Sequence, residues 1–401
     1  MTSRCLLVAV VTTAATAALV ACATTEGVAF APPSDVPHVV PTEDAAPDAA
    51  PDAADPVACA DCEYFPSECT DDVLCPYPSL DPLSSESLLH PLADVMTIRG
   101  RGPSDVWLSG ALGALAHFDG AAWKLSDLGA GETQRALWLR DSVEITFGSL
   151  TKFSVRGVDA AEGADAGVSA DGWSARQFPT TPGSWALYAA LVKTAWATSG
   201  SDVLWVGADG GTSCGLWRVR HTVPATLTIA ESIPVATCKL QRVTEILGLH
   251  SASSDVLWAV GGHGAAIRID GPNEAAPTYR ILNSMTTNAL RGVWAASDTD
   301  VWAVGTVGTI RRYRGDEHLW EAVDDVPTNE ALNAVWGTSA SDIWAVGDAG
   351  VVLHYDGARW SRVKVAGLGG ARPDLYSVWS SAPGHVWIGG QGVVLSLGGK
   401  P

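Results

Sequence analysis

Leu332 to Thr338 alternates apolar with polar or small residues, the period-two pattern of a half-buried strand. A turn rich in Ser and Asp follows, then apolar runs from Ile343 to Gly347 and from Gly350 to Tyr355, the hairpin signal Asp356-Gly357, and a last run from Trp360 to Val365. This spacing predicts four short antiparallel strands joined by tight turns. No helix fits inside it.

The same unit recurs through most of the chain. Leu290 to Trp320 opens L-R-G-V-W-A-A-S-D-T-D-V-W-A-V-G, and shorter versions occupy Leu375 to Gly392, Ser254 to Gly264, Ser201 to Gly210 and Ser104 to Trp123. A degenerate copy has Trp138 on its first strand and Ile145-Thr146-Phe147-Gly148 where the motif should be. The seven centres are Trp107, Ile145, Trp205, Trp258, Trp302, Trp344 and Trp387, with the last four 42 to 44 residues apart. A period near 43 residues is that of a four-stranded blade. A ring of such sheets packs Trp and Val of one unit on the next and leaves no long edge open, so the expectation is an all-β, seven-bladed β-propeller. A six-bladed ring with the degenerate copy as an insertion is the alternative. The last copy stops after Val393 to Leu397. Its missing outer strand is expected from residues around Leu83 to Leu89, with the propeller spanning 80–401.

Composition sharpens this picture. Seventeen Trp stand against 6 Phe and 7 Tyr, and 41 Gly with 23 Pro interrupt a chain that is 47% apolar, which excludes coiled coils and helical bundles. A formal charge of −19 argues against a nucleic-acid surface. No Lys or Arg lies between Arg4 and Arg99, so residues 1–98, with 15 acidic groups, carry −14 and the remainder only −5. A segment of one charge sign, rich in Pro and Ala and poor in large apolar side chains, cannot offset its ordering entropy by burial, and residues 22–58 are expected to form a disordered linker.

Arg4 and the uncharged stretch Cys5 to Ala18 read as a signal peptide over 1–21, too short to span a membrane. Leu19-Val20-Ala21-Cys22 resembles a bacterial lipobox, which implies a diacylglyceryl group on Cys22 as the first mature residue. An ordinary signal peptide cut at a nearby small residue is the competing reading. Acyl chains such as palmitate contribute about 0.8 kcal/mol per buried CH₂ and anchor without a spanning helix. Ala23 rather than Asp follows the Cys, which by the same resemblance implies the outer membrane of a bacterial envelope. The 36 residues from Ala23 to Ala58 span about 30–36 Å as a flexible tether.

Cys59, Cys62, Cys69 and Cys75 form C-x₂-C-x₆-C-x₅-C, read as a small disulfide segment over 59–79 in an exported chain. Zinc is the weaker reading, since no second CxxC and no intervening His complete a ligand set. Three pairings remain open. Cys214 and Cys238 lie equally far from a turn near Thr226 and are expected to bridge a hairpin.

The units resemble the tandem S-x-x-D-V-W-A-V-G-x-x-G repeats of bacterial exported propeller proteins, similar to BNR or Asp-box, tectonin-type and WD40/YVTN-like repeats, over about 310 residues. Phe118 to Trp123 and Tyr355 to Trp360 keep the Asp, Gly and Trp of the Asp-box without its Ser and spacer, and the resemblance implies no catalytic residue.

Asp105, Asp202, Asp255, Asp300 and Asp342 recur before the motif strand. One carboxylate per blade is a poor calcium cage, and each reads as a turn acceptor. Gly211 to Gly215 matches G-x-S-x-G but falls between strands rather than between strand and helix. No metal, cofactor or catalytic set is expected. At one phase of the first strands stand Val95, Arg135, Lys193, Ile246, Arg291, Asn333 and Tyr376, expected to ring one mouth of the channel. Arg135, Lys193 and Arg291 with Asn333 and Tyr376 suit an anionic or sugar-like ligand; solvated loop-end charge is the plainer reading. This ring holds no carboxylate, whereas a glycosidase needs two about 5–10 Å apart. The expectation is a monomeric, membrane-tethered, extracytoplasmic module that binds a protein or glycan, with a secreted sialidase- or glycosidase-like hydrolase as the alternative.

Overall fold

The computed structural model describes residues 61–129, 131–158, 166–178, 190–209, 214–222, 226–231 and 243–400. The signal peptide, Cys22, the tether, Cys59 and Cys238 lie outside the described residues.

Seven antiparallel sheets follow one another in a closed ring. Blades one to six span 95–125, 136–177, 192–231, 246–281, 290–322 and 332–362, and the seventh combines 375–397 with 74–76. The degenerate copy is a complete blade, with a fifth strand, Ala166–Val168, outside Ser174–Gln177. The count is therefore seven rather than six.

Tryptophan is reused because each motif indole meets the next blade's outer strand. Trp258 lies 5.4 Å from Trp320 at 89°, Trp302 5.7 Å from Trp360 at 74°, Trp387 5.2 Å from Trp123 at 87°, and Trp107 5.9 Å from Trp173 at 81°. Such edge-to-face pairs add about 0.5–1.5 kcal/mol each beyond their buried area. The joint between blades four and five shows the surroundings: Trp258, Val260, Leu290, Val301, Tyr313 and Trp320 form one buried cluster.

The ring closes at a different place from the one the sequence led us to expect. Leu74–Pro76 pairs antiparallel with Val393–Leu397, Leu74 opposite Leu397 and Pro76 opposite Leu395. The segment around Leu83 to Leu89 instead runs as turns, because Ser84, Ser85, Glu86 and Ser87 give no apolar alternation. Val73, Leu74 and Cys75 are buried, and Leu74 packs on Trp344 where other blades present an outer aromatic. A disulfide joins Cys69 to Cys75 in this closing strand. Cys62 and Cys214 are disulfide-bonded as well.

Candidate binding site

Six of the seven inner strands carry a β-bulge at the same place. The residue skipped by the pairing register is Met96, Lys193, Leu247, Arg291, Asn333 or Tyr376. In blade two Arg135 stands just before the paired strand, its N–H bonded to the Phe147 carbonyl. A bulged residue leaves the in–out alternation and its side chain is re-aimed. The motif glycine allows the close crossing beside it: a Cβ on Gly305 would lie 2.0 Å from the Ala289 carbonyl oxygen, and one on Gly347 2.0 Å from that of Ala331.

Arg135, Lys193, Arg291, Asn333 and Tyr376 thus line one cavity at a mouth of the channel. Val95 and Ile246 do not join them; both are buried, and Met96 and Leu247 take their places. These are the two blades in which Arg99 and His250 replace the first-strand Trp, so the sequence offers no phase marker there.

The cations at this mouth have acidic neighbours. Arg291 donates to Asn333 Oδ1 at 2.6 Å and lies 3.8 Å from Asp348, while Asn333 Nδ2 donates to Asp348 at 2.7 Å and to the Leu375 carbonyl at 2.8 Å. Lys193 lies 3.2 Å from Asp209. Asp94 and Asp374 immediately precede two of the inner strands. Burial raises the Asp94 carboxyl above its ordinary range, with Arg135 opposing and Asp374 adding to the rise. The Tyr376 phenol is raised by burial first and by Asp94 next. Alternation along the inner strands gives no sign of these carboxylates, because they sit two residues before the bulged position or just after the second strand.

Three residues beyond the ring the inner strands carry a collar of Arg99, Trp138, Trp196, His250, Trp294, Trp336 and Trp379. Trp294, Trp336 and Trp379 lie directly opposite the motif residues Trp302, Trp344 and Trp387, and Arg99 opposite Trp107. Trp138, Trp294 and Trp379 are buried. Trp379 overhangs Gly100, where a Cβ would come within 2.6 Å of the indole.

Trp196 and Trp336 are only half-buried and face each other with centroids 5.8 Å apart. Their indole N–H groups donate to Ser251 Oγ at 2.7 Å and to the Ser380 carbonyl at 2.9 Å. His250 packs 4.3 Å from Trp196 and 5.3 Å from Trp336, and its Nδ1 accepts the Ala295 N–H at 3.0 Å. Burial, and then the Arg99 charge, push its pKa down to about 3, so the ring is neutral. The Arg99 guanidinium lies 5.9 Å from the Trp196 centroid and 5.2 Å from that of Trp336. It lines the bulge-side cavity and also a second one of about 380 Å³. The sequence signal for this cluster was the break in the Trp series at Arg99 and His250.

The recurring Asp is used mostly within its own blade, Asp202 being the one that pairs across a joint, with Arg140 of blade two. Asp105 Oδ1 accepts the Trp107 indole N–H at 3.1 Å and lies 2.8 Å from His117 Nε2, whose ring stacks on Trp107. Asp342 repeats this with Trp344 and His354, at 3.1 and 2.7 Å. Asp300 instead takes both arms of Arg312, at 2.8 and 2.9 Å. Among the described residues no group of three or more His, Cys, Asp or Glu is placed to hold a metal.

No protein-family model matches this sequence, and no curated protein matches it. Solved structures do. YCF48 bound to D1 peptide is similar at 16% identity and a TM-score of 0.56, covering 82% of this chain and 96% of that one. YCF48 from Cyanidioschyzon merolae is similar at 13% and 0.58, covering 80% and 97%. The WD40 β-propeller domain of Doa1 is similar at 11% and 0.52, covering 76% and 91%. At these identities the shared property is the fold, and the chain is a seven-bladed β-propeller.

Proposed function

We propose that this chain is a lipid-anchored, extracytoplasmic recognition module whose propeller binds a protein or glycan at the bulge-lined mouth of its channel. The observation that carries the reading is the bulge repeated at one phase of six inner strands, which aims side chains of different chemistry at one point. Within the repeats Trp, Gly and Asp recur while the bulged residue changes, a separation of scaffold from recognition surface. A propeller of similar shape, YCF48, has been solved with a bound peptide, which supports a protein partner. The lipobox-like Leu19 to Cys22 and the acidic tether support display on a membrane.

Peptide and glycan arrays probed with the mature protein and with Arg135→Ala/Arg291→Ala test the mouth. Binding lost in the double variant, at unchanged melting temperature, is expected; hits indifferent to both substitutions would overturn it. Mass spectrometry of the membrane fraction tests the anchor: the N-terminal fragment should begin at Cys22 with a diacylglyceryl group, and a fragment starting elsewhere without lipid would refute it.

A second reading rests on Asp94 and Asp374. A carboxyl raised by burial beside another carboxylate is the kind of pair that glycoside hydrolysis uses. Release of a chromophore from aryl glycosides, lost in Asp94→Asn, would favour the hydrolase; no release from any glycoside bound on the array would favour recognition.

A further inference from the structure

Arg99 differs from most of the other guanidiniums stacked on this propeller's indoles; Arg218, over Trp205, also has no carboxylate among the described residues but donates to the Glu274 and Ala275 carbonyls. Arg140, Arg156, Arg268 and Arg312 each pair with a carboxylate. Arg99 has no carboxylate partner among the described residues: it donates Nη1 to its own Ile98 carbonyl at 2.8 Å and otherwise meets the faces of Trp196 and Trp336. Burial lowers its pKa to about 10, so it remains cationic at neutral pH. A guanidinium has five N–H donors in a planar fork, and this half-buried one spends a single N–H on a carbonyl, which leaves the rest of the fork free to take an anion.

The cavity at this end has the shape for one. Its volume is about 380 Å³, and indoles of Trp138, Trp196, Trp336 and Trp379 with Leu137 and Leu204 give it apolar walls. Asp141 also lines it but makes no pair with Arg99. Such a space takes a small molecule or one side chain; Arg101 and Arg140 also line it, but each is already paired with a carboxylate, which leaves Arg99 as the cation among its lining residues open to a ligand.

We infer that this cavity binds a carboxylate carried on an apolar or aromatic body, the carboxylate held by Arg99 and the body lying against Trp196 and Trp336. The site lies beyond the bulge-side mouth and does not rest on the function proposed there. The carboxylate has two possible sources, a free aryl acid or the carboxyl terminus of a peptide ending in an aromatic residue; both present the same chemistry to the guanidinium fork.

Phenylacetate, phenylacetamide and a tetrapeptide ending in Phe with a free or an amidated terminus are titrated into the mature protein, with indole fluorescence and calorimetry as readouts. Saturable binding of the acids is expected, with the matching amides at least roughly tenfold weaker. Arg99→Met should weaken the acids to the level of the amides. A free-acid peptide binding more tightly than phenylacetate supports the peptide source, and the reverse order supports the small acid. Equal binding of acids and amides, no binding of either acid at millimolar concentration, or undiminished binding in folded Arg99→Met would overturn the inference. Should Arg99→Met fail to fold, the acid-against-amide comparison on the unsubstituted protein decides.

Discussion

His250 takes the place of an indole in the collar, and its neutral ring makes stability depend on pH. The folded-state pKa is about 3 against an ordinary value of 6.5, with burial the main cause and the Arg99 charge the second. Since the folded value lies below the unfolded one, the unfolded chain takes up the proton first as pH falls. The stabilising contribution is therefore complete above about pH 6.5 and is lost progressively down to about pH 3. Between pH 7 and pH 4.5 the loss assigned to this one ring is about 2–3 kcal/mol. Carboxylates titrate over the same range, so the comparison is made against His250→Asn, whose amide oxygen can still accept the Ala295 N–H now bonded to Nδ1. Urea unfolding of both proteins at pH 7 and pH 4.5, with disulfides intact, gives two stability losses whose difference isolates the ring. The unsubstituted protein should lose about 2–3 kcal/mol more than the variant. Equal losses would refute the burial of a neutral His250 beside Arg99.

Three further outcomes test the frame. Trp302→Ala removes a fully buried indole and its contacts with Trp360 and Arg312, and should cost about 3–5 kcal/mol in chemical denaturation; a loss under about 1 kcal/mol would contradict wedge packing between blades. Gly100→Ala drives a Cβ against Trp379 and should destabilise by about 1–3 kcal/mol, read as a lowered melting temperature, whereas Gly102→Ala, with open space around it, should not. Cys69→Ser/Cys75→Ser opens the short loop ahead of the closing strand and should cost about 2 kcal/mol, with faster amide exchange in Val393–Leu397.

The blades were legible because one motif carries its own punctuation: Ser and Asp at the turn, Trp and Val on the strand, Gly where strands cross. Strand bounds around Leu332 to Trp360 agree with the reading to within a few residues. The closing strand was not legible, because Leu74–Pro76 is three residues long and lies in the Cys-rich segment, outside any repeat phase. The mouth ring was legible wherever Trp138, Trp196, Trp294, Trp336 or Trp379 set the phase, and slipped by one residue where Arg99 or His250 stands instead. The acidic partners of the ring and the stacking of the Arg99 guanidinium on Trp196 and Trp336 depend on side chains meeting across blades. Alternation along one strand carries no signal for such meetings.

Recognition at the channel mouth is tested most directly by a crystal structure of the mature propeller with the tightest ligand from the arrays. Ligand density within hydrogen-bond reach of Arg135 and of Tyr376 or Arg291 is the expected result. Density confined to the outer strands of the blades, with the channel mouth empty, would contradict it.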